Sequence, residues 1–175
     1  THNSSNMKHT FLALFCMLLL NNLVYSQVSF KKVQGNKANY SLTIPPDYFS
    51  REAIGANVDL KYADSEGASI VTVVKSLPSG VRESDIEQMA LLSNQEVVDQ
   101  LESMGMQNIT IIKRGFIVIN GVRSYFSYYR DIDLYYHTIT QFRKGKIITL
   151  TCTCDNNRRS SYMPYIFRVV NSLKS

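Results

Sequence analysis

Read for its spacing of apolar and polar positions, this chain is mostly strand. Val28 to Val33 and Tyr40 to Ile44 are predicted as short strands about the turn Gln34-Gly35-Asn36. Pro45-Pro46 stops the second, because neither proline can donate to a ladder. Val58-Asp59-Leu60-Lys61-Tyr62 alternates as a half-buried strand does, and Asp64-Ser65-Glu66-Gly67 turns the chain. Ala68 to Leu77 is a β-branched run suited to burial on both faces. Four further strands follow one another, at Ile109–Ile119, Val122–Arg130, Leu134–Phe142 and Lys146–Cys154. The first two meet at Asn120-Gly121, the strongest short hairpin signal; Asp131-Ile132-Asp133 and Lys144-Gly145 join the others. Hairpins make consecutive strands antiparallel, so this is a four-stranded meander.

Helices are predicted in three places. Ser84 with Glu87, and Ser93 with Glu96, have the capping-box spacing in which hydroxyl and carboxylate satisfy exposed N–H groups reciprocally. They predict a short helix over 84–92 and a second over 94–104, with Val97, Val98, Leu101 and Met104 on one face and Gly105 as its stop. A third helix over 161–173 carries the stripe Met163, Ile166, Phe167, Val170 and Leu173. Ser160 or Ser161 as its cap would place Pro164 in the first turn, where no internal donor is lost. The order of elements implies an α+β domain, with a central antiparallel sheet of about seven to eight strands and helices on both faces.

The amino terminus stands apart. Met7-Lys8, the apolar stretch Phe11–Leu20 and the small residue Ser26 read as a secretory signal peptide cut after Ser26, with residues 1–6 as an upstream extension. The apolar stretch is about half the ~20 residues a spanning helix needs. The expectation is therefore an exported protein, periplasmic or extracellular, with one domain over 27–175 and no membrane span after cleavage. Across its 175 residues the chain is 45% hydrophobic and 19% charged, as in a packed globular protein. Cleavage removes one charged residue, Lys8, so the net charge of +5 drops by one. The positive residues are scattered rather than gathered in a stripe, and no nucleic-acid partner is expected.

Tyr40-Ser41-Leu42-Thr43-Ile44-Pro45 with Tyr48-Phe49, the Asp59-Leu60-Lys61-Tyr62 strand, the central helix, the Asn120-Gly121 hairpin and the final helix together resemble the PsbP/Mog1 family. An exported bacterial branch of it is the most similar. The resemblance covers about residues 30–175 and implies a helix-flanked antiparallel sheet. Its named members serve as a photosystem II extrinsic subunit or as a Ran-binding nuclear factor. No residue motif here carries either role over, and the secretory signal opposes a nuclear one.

Candidate chemistry is sparse. The segment 27–175 holds one histidine, His137, and lacks G-x-S-x-G, P-loop, H-E-x-x-H and G-x-G-x-x-G motifs, so neither an enzyme nor a cofactor is expected. Cys152 and Cys154 are two apart on a strand and point to one face. They read as small buried apolar residues continuing the row of Ile148 and Leu150, as a strained disulfide, or as a soft-metal or redox site with His137. Cα atoms two apart on a strand lie ~6.6 Å from each other, near the upper limit for a disulfide, and the expectation is a buried, unbonded pair. Tyr128, Tyr129, Tyr135 and Tyr136 flank Asp131 and Asp133. A three-residue loop would set Tyr129 opposite Tyr135 and Tyr128 opposite Tyr136. Such pairs brace a hairpin, whereas an aromatic and acidic tip meets a partner. Two carboxylates alone fall short of a hard-cation site. The candidate contact set is therefore Tyr128, Tyr129, Asp131, Asp133, Tyr135 and Tyr136. The function expected is an accessory protein that binds another envelope protein; the alternative is a small-ligand or metal-binding module with a cleft between sheet and helix.

Overall fold

The computed structural model describes residues 29–175. The apolar stretch Phe11–Leu20, the cleavage position after Ser26 and the start of the first strand at Val28 lie outside the described residues. Among the described residues nine strands are seen: β1 (Lys31–Gln34), β2 (Ser41–Ile44), β3 (Phe49–Ser50), β4 (Val58–Ala63), β5 (Ser69–Ser76), β6 (Thr110–Ile119), β7 (Val122–Arg130), β8 (Leu134–Arg143) and β9 (Lys146–Asp155). The last seven form one sheet in the order β3-β4-β5-β9-β8-β7-β6, every neighbouring pair antiparallel. The first two pair with each other in a separate two-stranded unit. Between β5 and β6 the chain crosses one face of the sheet through a 3-10 helix (Glu83–Ala90) and α1 (Asn94–Ser103). The meander then returns strand by strand until β9 pairs with β5. At the β6–β7 turn Asn120 and Gly121 both have positive φ, 49° and 81°, the backbone a two-residue hairpin of this twist requires.

The face carrying Ile70, Thr72, Val74, Ile139, Ile148 and Leu150 is buried, as are the residues that cover it. Those come from the carboxy-terminal helix α2 (Arg159–Ser172), through Tyr162, Ile166, Val169 and Val170, and from the β1–β2 hairpin, through Tyr40, Leu42 and Ile44. Each such aliphatic side chain contributes ~1.5–3 kcal/mol by leaving water. The 3-10 helix and α1 lie over the opposite face. Helices thus flank the sheet on both sides, which is why strands such as β7 are apolar at successive positions. Among the described residues no helix is long and apolar enough to cross a membrane.

Two buried carboxylates on or beside β4 fasten the covering layer. The register slips between Val58 and Leu60, and at this bulge Asp59 turns inward instead of continuing the expected alternation. It accepts from the backbone N–H groups of Asn36 (3.0 Å) and Lys37 (3.0 Å) and from the Tyr40 hydroxyl (2.6 Å), all in the β1–β2 hairpin. The Tyr40 oxygen lies 2.5 Å from Thr72 Oγ1 on β5. Asp64, at the β4–β5 turn, accepts from the N–H groups of Glu66 (2.9 Å) and Ala68 (2.8 Å) and from the Tyr162 hydroxyl of α2 (2.6 Å).

Two helix starts differ from expectation. The Ser93–Glu96 box forms, with Ser93 N–H donating to Glu96 Oε2 (2.6 Å) and Glu96 N–H to Ser93 Oγ (3.2 Å). The Ser84–Glu87 box does not: Glu87 pairs with Arg123 on β7, and Asp85 instead accepts from the Arg82 N–H (2.8 Å). The segment winds as a 3-10 helix, with the box formed between Arg82 and Asp85 instead. The last helix begins earlier than expected. Asp155 caps a 3-10 turn (Asn156–Arg158) by accepting from the Asn157 N–H (2.7 Å), so α2 starts at Arg159 and Pro164 falls inside it. The missing proline donor is tolerated because the carbonyl it would have served belongs to exposed Ser160.

Tyr40→Phe removes one donor from a buried carboxylate and should lower the unfolding free energy by about 1–3 kcal/mol, read as a shifted urea midpoint at unchanged m-value. A shift below about 0.5 kcal/mol would mean that water replaces the hydroxyl. Gly35→Ala should cost at least as much, because a β-carbon there would sit 2.1 Å from the Tyr40 ring, which Asp59 holds in place.

Candidate functional site

The β7–β8 tip is a four-residue turn. Asp131 Oδ1 accepts from the N–H groups of Asp133 (2.8 Å) and Leu134 (2.7 Å), and Oδ2 from the Tyr136 hydroxyl (2.9 Å). Asn156, just after β9, donates from its side chain to the carbonyls of Asp131 (3.0 Å) and Ile132 (3.1 Å). Desolvation pushes the Asp131 carboxyl up, but the donors from Leu134, Tyr136 and Asp133 outweigh it and hold the group below the usual carboxylate range.

This turn corrects the expected register. Tyr129 stands opposite Tyr136, and Tyr128 opposite His137, one residue on from a three-residue loop. Tyr129 and Tyr136 stack on the α1 face with centroids 4.8 Å apart. Tyr128 and Tyr135 point to the α2 face. Tyr135 is wholly buried and Tyr129 nearly so, so both are core residues, whereas Ile132 is 73% exposed and Asp133 faces solvent. An open hollow of about 380 Å³ lies between this tip and the α1–β6 connection, lined by Met106, Gln107, Asn108, Asp131, Asp133 and Tyr136 among others.

Cys152 and Cys154 are free and buried on one face, in the row of Ile148 and Leu150. Burial pushes their thiols up to about 12 and about 11 respectively, so both stay protonated and unreactive at neutral pH. His137 is the register partner of Cys152, and the expected neighbours therefore do come together. They meet inside an aromatic core: the imidazole lies 3.9 Å from the Tyr128 ring and edge-on to Phe167 at 5.7 Å. Both its nitrogens are buried without a hydrogen-bond partner. Burial, and then the charge of Arg159, push His137 down to about 4. Among the described residues no group of three or more His, Cys, Asp or Glu side chains is placed to hold a metal.

The alternative reading expected a cleft between sheet and helix but named no residues for it. Between the sheet and the helices opposite α2 lies a cavity of about 250 Å³. Met89, Leu92, Val97, Leu101 and Met104 roof it; Ser127, Thr138, Thr140, Thr149 and Thr151 floor it; Tyr125 and Tyr129 stand at its sides. Its signal in the sequence was the alternation Thr138-Ile139-Thr140 and Thr149-Leu150-Thr151, which places a row of hydroxyls on one face of adjacent strands. The roof is held at its rim by polar struts. Arg114 on β6 donates to Asn94 Oδ1 (2.7 Å), to the Leu92 carbonyl and to the Tyr125 hydroxyl (3.3 Å), while Arg123 pairs with Glu87.

The buried histidine makes stability depend on pH. A histidine whose folded pKa is depressed takes up its proton more readily in the unfolded chain. Stability is therefore full above the unfolded value near 6.5 and declines as pH falls toward about 4. His137→Leu should remove that slope, and from pH 7 to 5 the difference in unfolding free energy between wild type and variant should move by about 2 kcal/mol in the variant's favour. Paired urea titrations at the two pH values measure it; parallel loss in both proteins would show that His137 does not titrate within this window.

No family model and no curated protein matches the chain. Solved structures do. The cyanobacterial PsbP (CyanoP) of Synechocystis sp. PCC 6803 superposes with a TM-score of 0.66 at 17% identity, over 84% of this chain and 92% of that one. LpqN of Mycobacterium tuberculosis, a protein involved in cell envelope biogenesis, gives 0.57 at 11% identity, over 85% and 91%. A Mog1 variant gives 0.55 at 10% identity, over 83% and 95%. At these identities the likeness concerns the path of the chain, not its side chains. With its seven-stranded antiparallel sheet held between helical layers, the chain adopts the PsbP/Mog1-like fold.

Proposed function

We propose that this chain is an exported, non-enzymatic accessory protein that binds another protein of the cell envelope, and that the contact is made where the β7–β8 tip meets the α1–β6 connection. The carrying observation is Ile132, a large apolar side chain 73% exposed on a turn fastened from both sides by Asp131 and Asn156. An anchor already held in one conformation loses little freedom on binding. Asp131 and Asp133 beside it favour a partner segment that carries lysine or arginine. The secretory pattern of residues 7–26 supports export. The side chains that would do chemistry support binding rather than catalysis: both thiols are held protonated, and His137 is held neutral with neither ring nitrogen bonded to a nucleophile or a carboxylate.

The test is the double substitution Ile132→Ser with Asp133→Asn. Both residues are exposed, so the urea midpoint should stay within about 0.5 kcal/mol of wild type. Cross-linking in intact cells should then lose the partner band that wild type gives, with binding of the identified partner weakened at least fivefold. Undiminished binding by the folded variant would refute the contact role.

A further inference from the structure

The cavity between sheet and α1 goes beyond the partner-binding reading and does not rest on it. Three observations define what it takes. Its roof is aliphatic and sulfur-bearing: Met89, Leu92, Val97, Leu101 and Met104. Among the described residues, none that lines it carries a formal charge. A charged ligand there would lose its hydration with no charged group in the lining to replace it, which favours an uncharged one. The third observation lies in the floor. Thr138 and Thr151 hydroxyls lie 3.3 Å apart, as do those of Thr140 and Thr149, so these side chains answer one another. Ser127 does not share in this: it is 7% exposed, and its Oγ is buried without a hydrogen-bond partner.

A buried hydroxyl without a partner is costly, and native proteins leave few of them. Here the unanswered hydroxyl lines a cavity whose roof is aliphatic apart from Gln100 and whose threonine hydroxyls lie against one another. An apolar cavity of ~150 Å³ takes a benzene ring. This one, at about 250 Å³, has room for a ring with a substituent or a short branched chain. We infer that the space between the sheet and α1 is a binding site for a small uncharged molecule with an apolar body and one hydrogen-bonding group, a hydroxyl, carbonyl or amide, that pairs with Ser127. The aliphatic roof packs the body, and Ser127 sets which end points down. The struts from Arg114 and Arg123 lie at the rim, so the roof keeps its place while the interior is filled.

Three probes of one shape test this on the folded protein: p-cresol, toluene and 4-methylbenzoate. Methyl and amide NMR shifts should move saturably with p-cresol and toluene at Val97, Leu101, Met104 and the threonine floor, and 4-methylbenzoate should move none of them. In Ser127→Ala the ratio of p-cresol to toluene affinity should drop about threefold to tenfold, the size of one hydrogen bond. The variant should unfold no earlier than wild type, since it loses a group that bonds to nothing in the free protein. Val97→Phe, which fills the cavity from a half-exposed position, should abolish binding of both neutral probes. An unchanged ratio in Ser127→Ala overturns the assignment and gives that hydroxyl to water. So do binding of 4-methylbenzoate as tight as that of p-cresol, shifts outside the cavity, binding retained by folded Val97→Phe, or no saturable binding of either neutral probe to wild type.

Discussion

The fold depends on how Asp59 is satisfied. A carboxylate this deeply buried is tolerated only when donors surround it. Its donors belong to a hairpin that has no place in the main sheet. The requirement therefore works in both directions. Asp59 draws the Gln34–Tyr40 loop down onto β4, and the loop closes the core over Ile70, Thr72 and Leu150. Asp64 repeats the arrangement one turn away, with Tyr162 of α2 as its hydroxyl donor. Two tyrosine–aspartate contacts, near the two ends of β4, thus fix hairpin and helix over the same face. A backbone bridge between Ser41 and Lys174 joins the two covering elements to each other. Asn120, from the β6–β7 turn at the other edge of the sheet, donates to the carbonyls of Asn171 (3.0 Å) and Leu173 (2.8 Å) and holds the end of α2.

The two faces of the sheet have different consequences. Under α2 and the hairpin, Asp59 and Asp64 are enclosed by bonds and His137 by rings. That face is full. Across the sheet, the 3-10 helix and α1 are tied by arginine struts at their margins, above a floor of serine and threonine. Short hydroxyl side chains do not reach up to the roof, and the roof residues are too few to fill the gap. A gap lined in this way offers apolar area above and hydroxyl groups below. The stacked pair Tyr129–Tyr136 stands between this cavity and the hollow at the hairpin tip, Tyr129 lining the first and Tyr136 the second.

Much of this architecture was legible beforehand. The four strands of the meander, the Asn120-Gly121 turn, the Ser93 start of α1 and the row Ile148, Leu150, Cys152, Cys154 follow from local patterns, because period-two burial and turn chemistry are properties of a few adjacent residues. The expected register at Asp131 erred for an equally local reason. The Asp131 carboxylate closes a turn of four residues where three were expected, and one residue of slip exchanges every cross-strand partner. Tyr129 and Tyr135, expected face to face, therefore lie on opposite sides of the sheet.

By itself the sequence determined the class of fold, the order of its principal elements and the antiparallel meander, since each rests on residue type and spacing. Only the tertiary structure decided the rest. It turned Asp59 inward at a bulge, drew Glu87 away from its serine to Arg123, and buried Tyr129 and Tyr135 while leaving Ile132 in water. It also left Ser127 unpartnered beneath α1. Each of these outcomes depends on what a distant segment brings to the same point in space: a hairpin loop 22 residues before Asp59, an arginine 36 residues after Glu87, a helical roof that stops short of the floor. Local pattern holds no information about those distances, because the free energy that sets them arises only when the layers close.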